Sequence, residues 1–277
     1  MRAFAPRPPR RAVSLRTRSG WMLLALLPGF ALQVVAFGPD FAGSALITFA
    51  ALFALDVLWR RREANPQRDP QPLLLAAIAL CWLPPTLPWW THGAAASVAW
   101  LLARRCGRDG GSAFHPAMVG CALAALPFGD APGNAVEPSL LPAIAAAFTL
   151  AGIALAIGRC IRWPVAVAVL AGGAAAAAMW LLLAPLPTHD QLLTALPAAS
   201  LLAFFVATDP ASGCQWPRAR WAFGVAVGAL ATLAMLSLHD ERRRALAMAG
   251  AVLLMNAAAP TLDRLLPLPR RPESTRP

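Results

Sequence analysis

Ten apolar segments, separated by short loops rich in Pro, Gly, Asp and Arg, run through most of the chain. A helix needs roughly 20 residues to cross the hydrocarbon core of a bilayer, with a range of about 17–25. Most of the segments come close to this length, although two are short. The segments are 21–37, 41–59, 73–90, 91–103, 115–128, 140–158, 164–186, 191–207, 221–238 and 245–260. They predict an all-α integral membrane protein with about ten transmembrane helices.

The composition agrees with a membrane protein. Of the 277 residues, 58% are hydrophobic and 13% are charged, and the mean hydropathy is +0.57. Soluble domains typically carry about 25% charged residues. The net charge of +11 comes from 24 arginines with no lysine. Because these arginines stand in short clusters between apolar segments, we interpret them as determinants of membrane topology. They predict contact with the lipid bilayer and no nucleic-acid binding.

The arginines are distributed unevenly between the two sides of the predicted bundle. With the N-terminus in the cytoplasm and ten crossings, 21 of the 24 arginines fall on the cytoplasmic side, as the positive-inside rule requires. Arg242, Arg243 and Arg244 fall on the opposite side. The sequence therefore predicts that both termini are cytoplasmic. It divides into a basic N-terminal tail at 1–20, a membrane domain at 21–264 and a C-terminal tail at 265–277.

Few titratable groups lie within the predicted spans. Asp56 does, and an intramembrane carboxylate is a candidate functional group. Arg60 follows four residues later, so a structural ion pair at the end of the helix is the simpler interpretation. The five cysteines contain no C-x-x-C motif, and no histidine lies at ligand spacing from them. The sequence therefore predicts no zinc or iron–sulfur site.

Four short blocks carry more information than hydrophobicity alone. They read Leu-Pro-Pro-Thr-Leu-Pro-Trp-Trp at 83–90, Gly-Gly-Ser-Ala-Phe-His-Pro-Ala-Met-Val-Gly at 110–120, Phe-Phe-Val-Ala-Thr-Asp-Pro-Ala-Ser at 204–212 and Leu-Leu-Met-Asn-Ala-Ala-Ala-Pro-Thr-Leu-Asp-Arg at 253–264. Gly111 permits a tight turn, and Pro116 starts or breaks a helix near the membrane. Such a break exposes backbone N–H groups, which suits an anionic or electron-rich ligand.

The third block has a similar character at the end of the eighth segment. Asp209 is placed to cap a following turn, and Pro210 fixes the direction of the chain. Two interpretations remain for these blocks, since they either bind a cofactor or only shape loops. The candidate cofactor-binding residues are Gly111, His115, Pro116, Thr208, Asp209 and Pro210. No catalytic residue and no metal ligand is predicted.

Together the four blocks, in this order, resemble the NqrB/RnfD family, and the RnfD branch is the more similar. These proteins are membrane subunits of ion-translocating electron-transport complexes. The resemblance extends from about residue 21 to residue 264. It implies a ten-helix bundle built from two inverted five-helix repeats, at about 21–128 and 140–264. It also implies a multi-pass protein of the bacterial inner membrane, with other Rnf/Nqr-type membrane subunits as partners and FMN or riboflavin as cofactors.

The chain departs from this family where the flavin is attached. Family members usually carry a Ser-Gly-Ala-Thr segment before the sixth helix, and its Thr bears FMN through a phosphoester bond. Here the corresponding stretch, 129–139, contains no Thr, so FMN cannot be attached covalently in it. His115 also stands where the family usually has Asn. Either the chain has lost the flavin or it binds flavin without a covalent bond.

These observations leave three functions to weigh. The resemblance implies a membrane subunit of an Rnf-type electron-transport complex, and thus part of an ion-translocating oxidoreductase. A structural subunit of such a complex without its own redox centre is a second hypothesis. The third is a channel or transporter on the same fold, because broken helices in an inverted repeat suit substrate binding near the midplane of the membrane.

Overall fold

The computed structural model describes residues 15–62, 70–106, 113–127, 138–183, 187 and 189–267. Their regular secondary structure is helical throughout, which confirms the prediction of an all-α protein. The α-helices are α1 (Leu15–Arg60), α2 (Gln71–Trp82), α3 (Trp89–Cys106), α4 (Pro116–Ala125), α5 (Leu141–Ile157), α6 (Trp163–Leu183), α7 (His189–Leu201), α8 (Pro217–Ser237) and α9 (Glu241–Leu265). A 3₁₀ turn, Pro138–Leu140, leads into α5, and a π-helical turn, Leu202–Val206, continues α7.

Several helices have the length and composition needed to cross a membrane. In the described residues these are Arg18–Arg60, Trp163–Leu183, Pro217–Ser237 and Glu241–Leu265. Shorter apolar helices accompany them, at Gln71–Trp82, Pro116–Ala125, Leu141–Ile157 and Gln191–Val206. Large apolar side chains point outward from the bundle, among them Leu182, which is 84% exposed. A surface of this kind suits contact with lipid.

Helix α1 is a hairpin of two arms, 15–37 and 39–60, that bends at Gly38. The backbone of Gly38 adopts φ 78° and ψ −165°, a conformation that side chains with a Cβ rarely adopt. Phe30 on the first arm packs against Phe49 on the second, with ring centroids 5.9 Å apart. The two arms contain the predicted segments 21–37 and 41–59.

The predicted boundary between the third and fourth segments is wrong. The sequence predicts a helix over 73–90, but α2 ends at Trp82 and α3 begins at Trp89. The intervening stretch, 83–88, contains three prolines. Proline lacks a backbone N–H and keeps the preceding residue out of the helical conformation, so this run ends the helix.

Helices α6 and α8 approach each other closely because glycines line their contact. A Cβ on Gly228 would overlap the carbonyl group of Val169, and one on Gly172 would overlap the backbone of Val225. Small residues let helix backbones come together in this way inside membranes, where packing replaces the hydrophobic effect as the driving force.

The helices pack in two matching sets. In the first set, α1 packs on α2 and α3, and α3 packs on α4. In the second, α5 packs on α7, α6 on α8, and α8 on α9. The more extensive contacts between the sets include those of α1 with α5, α4 with α9 and α2 with α7. The core of the bundle lies between these helices and includes the buried side chains of Leu26, Met118, Phe148 and Phe205.

Candidate functional site

The first residue of interest, His115, lies directly before α4 and is held by α9. It adopts an extended conformation, with φ −67° and ψ 114°, and Pro116 follows as the first residue of α4. The side-chain amide of Asn256 on α9, oriented to satisfy both its partners, accepts from the His115 N–H at 3.0 Å. The same amide donates to the carbonyl of Ser212 at 3.1 Å. We call this arrangement the His115–Asn256 junction.

The chain between α7 and α8 forms the other side of the junction. The buried π-helical turn Leu202–Val206 widens the end of α7, a feature often found at functional sites. Thr208 then donates from its hydroxyl to the carbonyl of Phe204 at 2.7 Å. Asp209 accepts from the Ser212 hydroxyl at 3.0 Å, so this carboxylate folds the turn that contains Pro210.

A buried imidazole and an arginine complete this end of the bundle. Arg18 on α1 donates to the carbonyl of Thr208 at 2.9 Å. The charges of Arg18 and Asp209 lie within electrostatic reach of the His115 ring. Among the described residues, Nδ1 of His115 has no hydrogen-bond partner although it is buried. This nitrogen would accept or donate one hydrogen bond to a ligand or a water molecule.

The structure therefore brings most of the predicted site residues to one end of the bundle. His115, Pro116, Thr208, Asp209 and Pro210 lie around the His115–Asn256 junction. Gly111 lies outside the described residues. Their role in binding a cofactor stays a prediction. Arg18 could not be singled out from the sequence, because an arginine at the start of a first helix is typical of a topology determinant.

The opposite end of the bundle contains a cavity of about 120 Å³. Its walls are largely apolar and include Phe37, Trp82 and Phe148, while Gln33, Glu241 and Arg244 supply polar groups. Helices α1, α2, α5, α7 and α9 all contribute to its lining. We call it the Arg244 cavity. The two sets of helices meet at this cavity. There the indole N–H of Trp82 on α2 donates to the carbonyl of Ala245 on α9 at 3.1 Å.

Arg244 points into the bundle and is only 7% exposed. Its Nε donates to the carbonyl of Leu238 at 2.7 Å, and its Nη1 donates to the hydroxyl of Thr194 at 3.2 Å. From the sequence, Arg244 is expected on the outer side together with its two neighbouring arginines. Three consecutive residues of a helix point in directions about 100° apart, so one of them must face the bundle. The sequence does not show which of the three does so, because it does not fix the rotation of the helix.

Gln33 presents a second polar group to the Arg244 cavity. Its side-chain N–H donates weakly to the carbonyl of Cys81, at 3.5 Å. Its Oε1 is buried and has no hydrogen-bond partner among the described residues. A buried acceptor of this kind costs stability unless a ligand or a water molecule donates to it.

Asp56 has a structural role. It forms ion pairs with Arg60, one helical turn away, and with Arg104 on α3 at 2.5 Å. These contacts agree with the interpretation that the carboxylate pairs at the end of a helix. Two tryptophans, Trp59 and Trp100, pack edge to face beside it with centroids 5.5 Å apart. The cluster fastens the second arm of α1 to α3.

The described residues contain no group of three His, Cys, Asp or Glu side chains that could hold a metal ion. Cys214 lies in the loop between α7 and α8, where burial raises the pKa of its thiol to about 11.

Comparison with known proteins decides the family. The model of the NQR2, RnfD, RnfE family matches residues 9–138 and 126–270. The chain belongs to the NQR2, RnfD, RnfE family.

Several relatives within this RnfD-containing family are similar over nearly their whole length. The D-type subunit of the ion-translocating oxidoreductase complex of Marinobacter nauticus is 27% identical, covering 89% of this chain and 88% of the relative. The protein of the same name from Tolumonas auensis is 28% identical, covering 87% and 90%. The one from Pseudomonas aeruginosa is 28% identical, covering 93% of each chain.

The two matched pieces of the family model overlap at 126–138, and most of the stretch 129–139 lies in this overlap. The stretch lies largely outside the described residues, but it leads through Pro138–Leu140 to Leu141, which lines the Arg244 cavity.

Proposed function

We propose that this chain is the RnfD-type membrane subunit of an ion-translocating oxidoreductase complex. The observation that carries the proposal is the match to the D-type subunits of such complexes over about nine-tenths of both chains. The apolar helices of the structure agree with a membrane subunit. The other subunits of such a complex are the partners that we expect.

Ten crossings of the bacterial inner membrane, with both termini in the cytoplasm, belong to the same proposal. The two arms of α1 and the helices α2 to α9, with α7 extended by its π turn, provide ten helical segments. Arg60, Arg104 and Arg220 lie at one end of the bundle, as the positive-inside rule requires for the cytoplasmic side. Arg244 lies at the other end of the bundle. Its side chain faces the interior of the bundle, so it does not argue against this orientation.

We also propose that the bundle consists of two inverted repeats, at about 21–128 and 140–264. The matching sets of helix contacts support it. Similar contacts at the two ends of the bundle also support it. At one end the third helix of the first half, α2, contacts the start of α9 through Trp82. At the other end the loop after α7 contacts the start of α4 through Asn256. An odd number of crossings in each half reverses the orientation of the second half.

We propose that a flavin bound without a covalent link uses the Arg244 cavity. The apolar walls suit a ring system, and Oε1 of Gln33 and the N–H groups of Arg244 suit its polar edge. A cavity of about 120 Å³ is comparable to one that accepts a single aromatic ring. A cavity of this size would take only part of the flavin ring system. When bound, the flavin would accept and pass on electrons.

Flavin content is the experiment that tests this function. The protein is purified in mild detergent with FMN and riboflavin present, its visible absorption is recorded, and it is then denatured. We expect a flavin spectrum whose chromophore is released, because no covalent bond holds it. Gln33→Leu and Arg244→Gln should lower the flavin-to-protein ratio. Arg243→Gln, a neighbouring and more exposed arginine, serves as the matched control.

A colourless preparation would overturn the redox role. The structural hypothesis would then be preferred, because the missing Thr is the specific observation that favours it. Co-purification separates the remaining functions. A structural subunit should bring other membrane subunits of the complex with it, whereas a channel or transporter should purify without them.

A further inference from the structure

Two exposed tryptophans lie side by side at the arginine-rich end of the bundle. Trp163 begins α6 and Trp221 lies in the first turns of α8. They are 56% and 42% exposed, and their rings meet edge to face with centroids 6.4 Å apart. Tryptophan prefers the interface between lipid and water, where its ring is buried among lipids and its N–H reaches polar groups.

An arginine directly precedes each tryptophan, and the two arginines converge. Nη1 of Arg162 and Nε of Arg220 donate to the same acceptor, the carbonyl of Cys214, at 3.1 and 3.2 Å. A guanidinium group has five N–H donors. Within the described part of the chain, each of these groups gives one hydrogen bond to the protein, so donors remain for an external acceptor.

The two positive charges are held together at an energetic cost. Burial, together with the nearby charges of Arg220 and Arg18, lowers the pKa of Arg162 to about 10. Asp209 and Asp263 oppose this effect in part. The carboxylate of Asp263 already accepts the backbone N–H groups of Gln215 and Trp216 at 2.9 to 3.0 Å. An anion placed between the arginines would relieve their repulsion.

Apolar side chains continue from the tryptophans toward the middle of the membrane. Val167 lies one turn beyond Trp163 on α6, and Val225 lies one turn beyond Trp221 on α8. Both are exposed large apolar residues, as is Leu170 on α6. Positive charge, two interfacial rings and an apolar stripe thus follow one another along the same pair of helices. A free anion would use only the first of these features.

We propose that Arg162, Arg220, Trp163 and Trp221 bind an anionic phospholipid, with its phosphate at the two arginines and an acyl chain along the apolar stripe. Charge-assisted hydrogen bonds from arginine to phosphate are strong and directional. Basic pockets between membrane helices are known to bind anionic head groups. The site is separate from the flavin proposal and depends on the proposed function only in that this end of the bundle lies at a membrane surface.

Native mass spectrometry of the full-length protein in detergent tests the site. Phosphatidylglycerol is titrated as the anionic lipid and phosphatidylethanolamine as the zwitterionic one. We expect selective retention of phosphatidylglycerol. The double variant Arg162→Gln/Arg220→Gln should retain it about tenfold less well, a loss of about 1.4 kcal/mol. Arg61→Gln/Arg62→Gln removes the same charge from exposed positions after α1 and should change little.

Additional variants keep the test informative if the Gln variant does not fold. Arg162→Lys/Arg220→Lys keeps the charge and should retain part of the selectivity. Trp163→Leu/Trp221→Leu keeps the arginines and should weaken retention of the lipid.

Three results would overturn the proposal. The first is equal retention of the two lipids. The second is an equal loss in the Arg61/Arg62 control. The third is complete displacement of phosphatidylglycerol by inorganic phosphate, which would identify a site for a free anion. Lipid retention is measured independently of flavin content, so either proposal can fail without the other.

Discussion

The cluster around Asp56 shows how a charged residue is accommodated at the end of a membrane helix. One carboxylate is shared by Arg60 on its own helix and Arg104 on α3. Arg104 also lies over the ring of Trp100, with its guanidinium carbon 6.0 Å from the centroid. The carboxylate is nearly buried, so losing a partner leaves a charge that water reaches poorly.

Arg104→Gln should therefore destabilise the protein, by about 1–3 kcal/mol. Asp56→Asn removes the charge that Arg104 compensates, so the double variant should lose less stability than the sum of the two single variants. Thermal unfolding in detergent, read by loss of monodisperse protein, gives the apparent differences. Arg105→Gln, which removes an exposed arginine stacked on Trp59, should have a smaller effect. Additive losses in the Asp56/Arg104 cycle would contradict the shared ion pair.

At the scale of elements, the contact between α6 and α8 depends on the absence of side chains. Gly228 lies against Val169, and the backbones are too close for a Cβ. Inserting atoms into such a contact forces the helices apart, and overpacking of this kind costs about 1–3 kcal/mol. The contact extends over much of both helices, so a local separation would also move the π-helical turn that packs on α6.

Gly228→Ala should consequently lower stability by about 1–3 kcal/mol, measured as a lower unfolding temperature in detergent. Gly250 on α9 provides a matched control, because a Cβ there has no neighbour within 4 Å. Gly250→Ala should leave stability unchanged or raise it slightly, since alanine favours a helix more than glycine does. Equal effects of the two substitutions would mean that helix propensity alone, without the close contact, explains the result.

The elements were largely predictable from the sequence because apolar length is a property of the local sequence. The two arms of α1 and helices α5, α6, α8 and α9 lie close to the predicted segments. The prediction of one helix at 73–90 was wrong because the sequence stays apolar through 83–88. In that stretch the prolines, and not the hydrophobicity, determine where the helix ends.

The candidate site was predictable only in part. With ten alternating crossings, His115 at the start of the fifth segment and Asp209 after the eighth would lie at the same end of the bundle. Arg244, Gln33 and the contact between Asn256 and His115 depend on which way each helix faces within the bundle. Hydrophobicity along the chain does not determine that rotation, because every side of these helices is largely apolar.

At the scale of the whole molecule, the proposed topology can be tested with reporter fusions. Green fluorescent protein fused after Pro277 should fluoresce, because it folds in the cytoplasm. Alkaline phosphatase fused to a chain truncated after Leu238 should be active, because that point lies on the outer side in the ten-crossing arrangement. Exchanging the two reporters provides the control and should give two inactive fusions. An active phosphatase at Pro277 would contradict the cytoplasmic C-terminus.

The two contacts of α9 have a consequence for how the protein is made. Asn256 holds the N–H of His115 and the carbonyl of Ser212, and the carbonyl of Ala245 receives the indole N–H of Trp82. These partners all leave the ribosome before α9 does. The contacts at both ends of the bundle are therefore completed only when α9 packs into it. A chain interrupted before α9 would leave polar groups unsatisfied at both ends of the bundle, so we expect it to be less stable than the full-length protein.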